Sequence, residues 1–281
     1  MTVDALPDLL IRPEIERALR EDLGRAGDLT ATLIPAEARL QLQFVTRTAG
    51  KIAGLRCAEL AITLLDASAH IKTYVADGAD VRAGTVLAQV EANARLLLSA
   101  ERTALNFLGR LSGIATLTGS YVTAVAGTGA AIVDTRKTTP GLRALEKFAV
   151  RCGGGMNHRF GLDDAILIKD NHIVACGGVT AALKRAREVA GHLVPIEVEV
   201  DNLAQFDEAL ALAPAVIMLD NFSLADLRDA VLRTAGRVRL EASGGVSLNT
   251  VRAIAQTGVD AISVGALTHS APVLDIGLDA C

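Results

Sequence analysis

The sequence predicts a protein of the α/β class, an incomplete TIM-like (βα) barrel with a smaller N-terminal α+β sandwich domain. From about residue 130 onward, short apolar runs alternate with amphipathic segments. The runs, such as AAIVDT and AVIMLDN, are almost continuously apolar, which is typical of parallel strands that helices cover. About six such units follow one another without a dinucleotide-binding glycine fingerprint, and this favours a barrel over an open sheet.

The first 110 residues have a different pattern. Pieces such as LQLQFVTRTAGKIAG and IKTYVADGADVRAGTVLAQVEA alternate and are punctuated by Gly, which predicts a small β-rich domain with helical pieces. The run LLLSAERTALNFLGRLSGIATLTGSYVTAVAG repeats apolar residues at intervals of three and four, so it predicts a helix that links two domains. We therefore expect an N-terminal α+β domain with its linking helix at 1–110, a catalytic (βα) barrel at 111–270, and a tail at 271–281 that returns as a strand to the N-terminal domain.

The predicted barrel elements follow one another in a regular order. The strand and helix pairs are AAIVDT with LRALEKFAVRC, AILIKDNHI with VTAALKRAREVAG, PIEVEV with NLAQFDEALALA, AVIMLDN with SLADLRDAVLRTAG, VRLEASGG with SLNTVRAIAQTG, and the last strand AISVGAL. Polar residues stand at the strand ends: Asp134 to Lys137, Lys169 to His172, Glu199 and Asp201, Asp220 and Asn221, Glu241 and Ser243, and Gly265 to His269. Because the carboxyl ends of barrel strands converge on one face, these motifs are expected to share one pocket.

The stretch from Asp134 to His172 is rich in cations although the formal net charge of the chain is -4. Its positive or titratable groups are Arg136, Lys137, Arg143, Lys147, Arg151, His158, Arg159, Lys169 and His172. Overall basicity does not account for such a cluster, so it indicates a ligand with several negative charges. Two interpretations stay open for Arg143, Lys147 and Arg151, because they also fit the solvated face of an amphipathic helix. The pairs at 136–137 and 158–159 lie at element boundaries, where function is favoured.

Composition argues against several classes of function. No window holds the eighteen or more apolar residues that a membrane span needs, and the N-terminal residues lack the pattern of a signal peptide. We therefore expect no membrane association and a cytoplasmic location. Aromatic residues make up only 3% of the chain and the net charge is acidic, so nucleic acid is not an expected partner.

The four cysteines are scattered along the chain. They are Cys57, Cys152, Cys176 and Cys281. None forms Cys-x-x-Cys spacing, which argues against a zinc knuckle or a disulfide framework, and reduced thiols are expected. Cys152 lies beside the Gly triplet, where a small buried thiol is favoured over a nucleophile.

Several longer motifs resemble one enzyme family. They are ERTALN at 101–106, DTRKTTPG at 134–141, RCGGGMNHR at 151–159, IKDNH at 168–172, EVEVD at 197–201, LDN at 219–221, EASGG at 241–245 and GALTH at 265–269. Together they resemble the quinolinate phosphoribosyltransferase family, also called nicotinate-nucleotide pyrophosphorylase (carboxylating), over almost the whole chain. The resemblance implies transfer of phosphoribose from phosphoribosyl pyrophosphate to quinolinate with decarboxylation. The products would be nicotinate mononucleotide, pyrophosphate and carbon dioxide, in NAD biosynthesis.

A quinolinate clamp is the first expectation for the site. Quinolinate carries two adjacent carboxylates, and planar guanidinium groups bind carboxylates through paired hydrogen bonds. The expected clamp consists of Arg102, Arg136, His158, Arg159 and Lys169. By resemblance, Arg102 enters from the partner subunit, which implies a homodimer or a larger homo-oligomer.

The phosphoribosyl pyrophosphate side is the second expectation. Glu199 and Asp220 close successive strands and are the expected Mg²⁺ contacts, with an ion pair to the clamp as the alternative for either residue. The residues expected at the phosphates are Lys137, Ser243, Gly244, Gly245, Gly265 and His269, the glycines through backbone N–H groups at helix starts. The expected catalytic residues are Lys137, Lys169, Glu199 and Asp220.

Three other functions remain as alternatives. One is a related pyrophosphorylase that uses nicotinate or another base, although retention of Arg102 with the His158-Arg159 pair favours a dianionic acceptor. A second is a barrel aldolase in which Lys169 forms a Schiff base. A third is a sensor of sugar phosphates without catalysis, for which Glu199 and Asp220 would be unnecessary.

Overall fold

The computed structural model describes residues 4–280. Its helices are α1 (Asp8–Leu23), α2 (Leu55–Thr63), α3 (Ala94–Ala124), α4 (Arg143–Cys152), α5 (Asp170–Cys176), α6 (Val179–Val189), α7 (Leu203–Ala211), α8 (Leu224–Thr234), α9 (Val251–Ala255) and α10 (Ala266–His269). Its strands are β1 (Arg39–Thr46), β2 (Gly50–Lys51), β3 (His70–Thr73), β4 (Asp80–Val81), β5 (Val86–Asn93), β6 (Ala131–Val133), β7 (Ile166–Ile168), β8 (Ile196–Val200), β9 (Val216–Asp220), β10 (Arg239–Ser243), β11 (Ala261–Ser263) and β12 (Ile276–Ala280).

The chain packs into two compact units. The first contains the residues up to Gly119, the segment Thr138–Gly154 and the residues from Leu267 onward. The second contains Ser120–Lys137 and Gly155–Ala266. The domain boundaries expected at residues 110 and 270 stay predictions.

The first unit is built on an antiparallel sheet with strand order β12-β1-β5-β3. Along β1, Leu42, Phe44 and Thr46 are buried and alternate with more exposed residues, so one face of this sheet is covered. Strand β12 pairs with β1, with Ala280 opposite Leu42. Helix α1 buries one residue in every four, ending at Leu19, which is the spacing of an amphipathic helix.

The second unit is built on six parallel strands in the order β6-β11-β10-β9-β8-β7. The strands follow chain order from β7 to β11, and β6 then lies beside β11. A closed six-stranded ring would also pair β6 with β7, and the described strands of this sheet lack that pairing. The predicted fold class, an incomplete barrel with a separate, smaller N-terminal domain that contains an antiparallel sheet, is therefore confirmed.

Short capped turns follow two central strands of the parallel sheet. After β8, the side chain of Asn202 accepts a hydrogen bond from the backbone N–H of Gln205 at 3.0 Å and begins α7. After β9, the hydroxyl of Ser223 accepts one from the N–H of Asp226 at 3.2 Å and begins α8. Such caps satisfy the free N–H groups of a first helical turn and stabilise it by about 1 kcal/mol. They hold the carboxyl ends of both strands next to rigid helix starts.

Within the described part of the chain, every helix is too short or too polar to cross a membrane.

Candidate active site

A cavity of about 300 Å³ opens at the carboxyl ends of the parallel strands in the second unit. Eight residues predicted for the site line it: Arg136, Lys137, His158, Arg159, Lys169, Glu199, Asp220 and Ser243. They come from six separate segments of the chain, and the strand ends bring them together. The sequence-based expectation of one shared pocket is therefore met for these eight residues.

The other predicted residues lie elsewhere. Gly244, Gly245 and Gly265 belong to the second unit but are outside the group that lines the cavity. Arg102 and His269 belong to the first unit, and both are exposed. Arg102 lies on α3, where it lines another cavity of that unit. Its predicted role needs a partner subunit and stays a prediction.

The segment that carries His158 is fixed by a buried carboxylate. Asp134 directly follows β6 and is completely buried. It accepts hydrogen bonds from the backbone N–H of His158 at 2.9 Å and from the side-chain amide of Asn157 at 2.6 Å. The backbone of Met156 also donates to Ile132 of β6 at 2.8 Å. This segment is thus fastened to the edge of the sheet.

Both ring nitrogens of His158 are engaged inside the protein. Nδ1 accepts a hydrogen bond from the backbone N–H of Arg159 at 2.7 Å. Nε2 lies 3.0 Å from Oε2 of Glu197 and 3.7 Å from Oε1 of Glu241. Because Nδ1 accepts, the proton of the neutral ring is on Nε2, which donates to Glu197. His158 therefore lines the cavity while its polar atoms hold other protein groups.

Glu197 and Glu241, here called the buried pair, receive no site role from the sequence. Both are more than nine-tenths buried, and Oε1 of each has no hydrogen-bond partner within residues 4–280. Burial, with the Glu197 carboxylate next, raises the pKa of Glu241 to about 7. Glu241 is among the polar strand-end residues that the sequence predicts for the shared pocket, but it does not line the cavity. For Glu197, the sequence signal is a charged residue within an otherwise apolar strand.

His158 and the buried pair are close enough to suggest a metal site, since their ligand atoms all lie within 4.8 Å of one another. The chemistry of the ring argues against one. A histidine that binds a metal through Nε2 normally donates from Nδ1, whereas Nδ1 of His158 accepts. Metal binding here would require a ring without any proton. The cluster fits a hydrogen-bonded group better than a metal centre.

Arg159 lines the cavity, and one of its donors is buried without a partner in the described part of the chain. Its Nη1 donates to the carbonyl of Ala165 at 3.0 Å, but its buried Nε has no partner among the described residues. Burial, with the neighbouring Arg136 guanidinium next, lowers the pKa of Arg159 from its ordinary value. An unsatisfied buried guanidinium donor is costly unless an anion binds it. Because the Arg159 side chain also lines the cavity, its guanidinium can bind a carboxylate there.

Glu199 and Asp220, here called the cavity pair, end the adjacent strands β8 and β9. Glu199 forms an ion pair with the ammonium of Lys169, and Asp220 accepts from the side-chain amide of Asn221 at 2.6 Å. The alternative expectation of an ion pair with the clamp is thus observed for Glu199. The same contact argues against a Schiff-base role for Lys169, because an ion-paired ammonium is a poor nucleophile.

The sequence predicted that Gly244 and Gly245 lie at the start of a helix, and the structure places them in a bend of the chain instead. Gly244 and Gly245 have φ angles of 93° and 59°, a region that favours glycine. A Cβ atom on Gly244 would also overlap the side chain of Asn221. However, α9 begins only at Val251, so the expectation that these N–H groups lie at a helix start is wrong. The left-handed glycines, together with the polar turn before α9, separate the strand from the helix.

Helix α4 carries Arg143, Lys147 and Arg151, which the sequence left open as either a ligand-binding cluster or a solvated helix face. Lys147 is only 2% exposed, so the solvated-face interpretation is wrong for this residue. Arg151 is exposed, and the Nε of Arg143 donates to the Thr138 hydroxyl at 3.1 Å. Cys152 at the end of α4 is buried, and burial raises the pKa of its thiol to about 12. This supports the expectation that Cys152 is not a nucleophile.

Comparisons with known proteins agree along the whole chain. Residues 28–112 match the family described as "Quinolinate phosphoribosyl transferase, N-terminal domain", and residues 114–279 match its "C-terminal domain". The chain is 50% identical over 277 residues to a "Nicotinate-nucleotide pyrophosphorylase [carboxylating]" of Mycobacterium leprae, covering 95% of this chain and 96% of that protein. It is 46% identical over 259 residues to a "Probable nicotinate-nucleotide pyrophosphorylase [carboxylating]" of Bacillus subtilis, covering 92% and 89%.

A solved structure agrees with the sequence comparisons. The nicotinate-nucleotide pyrophosphorylase of Francisella tularensis superposes with a TM-score of 0.93 at 38% identity, covering 99% of both chains. The similarity therefore includes the fold as well as the motifs. The chain belongs to the quinolinate phosphoribosyl transferase family.

Proposed function

We propose that this protein transfers the phosphoribosyl group of phosphoribosyl pyrophosphate to quinolinate and releases carbon dioxide, giving nicotinate mononucleotide and pyrophosphate. It is a pentosyltransferase of NAD biosynthesis. The observation that carries the proposal is a single cavity that guanidinium and ammonium groups line together with the cavity pair. Family membership supports the same reaction.

Quinolinate is held by cations. Arg136 and Arg159 offer planar guanidinium groups, and Lys169 offers a point charge between them and the cavity pair. The place of Arg159 in the cavity lining supports a direct contact with one ring carboxylate. His158 contributes indirectly, because its two nitrogens bind the Arg159 backbone and Glu197.

Phosphoribosyl pyrophosphate lies on the other side of the cavity in this proposal. Ser243 and Lys137 line the cavity, and the left-handed backbone of Gly244 and Gly245 can turn N–H groups toward a phosphate. Gly265 and His269 complete the expected contacts. Charge complementarity between the triphosphorylated sugar and these donors supports this arrangement.

Mg²⁺ fits the cavity pair. Glu199 and Asp220 offer hard oxygen ligands on neighbouring strands of the cavity, although Lys169 pairs with Glu199 and Asn221 donates to Asp220. Two carboxylates suit an ion that keeps several waters and binds a diphosphate. When bound, the ion neutralises charge on the leaving pyrophosphate. Calorimetry of Mg²⁺ with phosphoribosyl pyrophosphate tests this without turnover. Asp220→Asn should weaken the magnesium-dependent part of binding, and unchanged magnesium dependence would remove Asp220 from the metal site.

The residues act by positioning and electrostatics in the chemical step. The pyridine nitrogen attacks the anomeric carbon, the bond to pyrophosphate breaks, and the carboxylates of the cavity pair stabilise positive charge on the sugar. The pyridinium then accepts the electron pair left when the adjacent carboxylate departs as carbon dioxide. A proton replaces it on that ring carbon. No enzyme nucleophile is needed.

A dimer is part of the proposal, since Arg102 is exposed on α3 and is expected to reach the site of a partner subunit. Subunits carrying Arg102→Ala can be mixed with subunits carrying Lys169→Ala. If Arg102 acts in the partner, mixed dimers have one intact site and about a quarter of the activity returns. If it acts in its own subunit, mixing restores nothing.

A cytoplasmic location is also part of the proposal. Cys57, Cys152 and Cys176 are free thiols, which fits a reducing compartment. Cys281 lies outside the described residues. Cell fractionation tests the location, and recovery of the protein outside the cytoplasmic fraction would contradict it.

The substrate assay supplies phosphoribosyl pyrophosphate and Mg²⁺ with either quinolinate or nicotinate. We expect mononucleotide and carbon dioxide in equal amounts from quinolinate, and little product from nicotinate. Turnover of nicotinate without carbon dioxide would favour the related pyrophosphorylase. A well-folded protein that converts neither acid would refute the proposed reaction.

A further inference from the structure

The buried pair is absent from the lining of the cavity, and the proposed reaction gives it no task. Glu197 lies on β8 and Glu241 on β10, with one strand between them. His158 connects both carboxylates to the cavity, because it lines the cavity and its Nε2 points at the pair. His158 thus connects the buried pair to Arg159, which is the next residue in the chain.

The surroundings of Glu241 favour its protonated form over its charged form, because burial, Glu197 and Asp134 raise its pKa more than His158 and Ser263 lower it. The charged or titratable groups that act on it are Glu197 from β8, Asp134 at the end of β6, and His158, while Ser263 of β11 shares a hydrogen bond with it. The residue of β9 opposite Glu241 is an uncharged methionine. With His158 neutral, an ionised Glu241 would stand beside two other buried carboxylates. Burying like charges together is costly, and a carboxyl group avoids the cost by keeping its proton.

We infer that Glu241 is a positioning residue for quinolinate: as a neutral carboxylic acid, it leaves Glu197 as the single charged acceptor of His158 and thereby fixes the backbone of Arg159. The inference rests on the proposed function, since the ligand of Arg159 is taken to be quinolinate. The raised pKa of Glu241 agrees with the geometry.

Ionisation of Glu241 would disturb the site in two ways. A second carboxylate charge beside Nε2 favours a doubly protonated His158, whose Nδ1–H would then face the N–H of Arg159 where a hydrogen bond now exists. If His158 stays neutral, the ionised Glu241 adds a buried negative charge near the cavity, and this charge repels the quinolinate dianion. Either outcome weakens quinolinate more than phosphoribosyl pyrophosphate.

Glu241→Gln separates this role from simple packing, because the amide has nearly the same shape and cannot ionise. The Kd of quinolinate is measured by calorimetry from about pH 6 to about pH 8.5, with the KM of phosphoribosyl pyrophosphate as the internal reference. In the unmutated protein the Kd should rise about tenfold between about pH 6 and about pH 8, because only the neutral fraction of Glu241 binds well. In Glu241→Gln it should stay constant. Equal pH slopes in the two proteins would overturn the inference.

Two further variants control the comparison. Glu188→Gln makes the same chemical change in an exposed ion pair of α6 and should keep the pH slope of the unmutated protein. Glu197→Gln removes the charged acceptor of His158. Because one charge-assisted hydrogen bond is lost, the Kd of quinolinate should rise about tenfold even at about pH 6. Unchanged affinity in Glu197→Gln would contradict the positioning role.

An infrared measurement keeps this inference separate from the proposed function. The difference spectrum between the unmutated protein and Glu241→Gln at about pH 6 should contain the carbonyl stretch of a protonated carboxylic acid, and this band should vanish at about pH 8.5. Absence of the band overturns the inference whatever the substrate is. Presence of the band in a protein that binds no quinolinate would refute the proposed function and leave Glu241 neutral.

Discussion

The cavity pair and the buried pair show how neighbouring carboxylates of one sheet differ. Strand β8 contributes one residue to each, Glu199 and Glu197, which point to the same face because they are two residues apart. Their side chains are similarly exposed, at 12% and 10%. Depth therefore does not separate them, but their partners do. Glu199 has an ammonium group as its direct partner, whereas Glu197 and Glu241 share the imidazole of His158, and the Arg159 guanidinium acts on Glu197 without forming a direct ion pair.

The comparison indicates that burial and the charges of neighbouring groups together decide the state of a buried carboxyl group; for Glu241, burial raises the pKa most and the Glu197 carboxylate next. A cation at Glu199 keeps a negative charge available at the cavity, where it can face a cationic sugar or a metal-bound diphosphate. Without a cation as direct partner, one member of the buried pair keeps its proton and acts through hydrogen bonding and shape. Two carboxylates on the same strand thus serve binding chemistry and positioning.

The largest expected effect concerns the quinolinate side. Arg159→Ala removes a guanidinium that lines the cavity, so quinolinate binding should weaken by roughly 2–5 kcal/mol while phosphoribosyl pyrophosphate binding changes little. Calorimetry with each substrate checks the difference. Equal losses for both substrates would show that Arg159 is not a quinolinate contact.

The next effect sharpens the role of the cavity pair. Glu199→Gln keeps the shape but removes a charge that faces the developing sugar cation, so kcat should fall by roughly 100-fold with a smaller change in the Kd of quinolinate. Single-turnover kinetics with preformed complexes measures the chemical step. A loss that appears only in quinolinate binding would place Glu199 with the clamp instead.

A smaller effect on stability tests the buried pair without any ligand. The pKa of Glu241, about 7 in the folded protein, lies above its ordinary value. Its proton therefore stabilises the fold fully below about pH 4.5, and this contribution is lost as pH rises through about 7. The free energy of unfolding of Glu241→Gln, taken relative to that of the unmutated protein, should therefore rise by about 2 kcal/mol between about pH 5 and about pH 8.

Urea unfolding at the two pH values measures this change, with Glu188→Gln as the surface control. The control should stay within about 0.5 kcal/mol of the unmutated protein at both pH values. Parallel pH dependence for Glu241→Gln and the unmutated protein would mean that Glu241 titrates normally in the folded state.

Much of the fold follows from the sequence because hydrophobic patterning is local. Continuous apolar runs predicted the parallel strands, and the polar residues at the ends of these runs predicted the shared cavity. The pairing of β6 with β11 could not be read in this way, since it joins three-residue strands that lie far apart in the chain. Lys147 was equally ambiguous, because amphipathic spacing does not reveal what packs against a helix.

The buried pair was missed for a related reason. The EVEV run resembles any strand with polar ends, and nothing local to Glu197 or Glu241 indicates that both meet His158. The setting of Gly244 was also mispredicted, because Gly-Gly often precedes a helix, whereas here a polar turn comes between. Contacts between distant segments and backbone angles at turns therefore supplied what the motifs alone did not.

The placement of both substrates in one cavity is tested most directly by a crystal structure with phthalate, Mg²⁺ and phosphoribosyl pyrophosphate. Phthalate is a ring dianion that lacks the reactive nitrogen. We predict that the two phthalate carboxylates contact Arg136, Arg159 and Lys169, with the diphosphate on the side of Glu199 and Asp220. A phthalate bound outside this cavity, or one whose carboxylates point away from Arg159, would contradict the account.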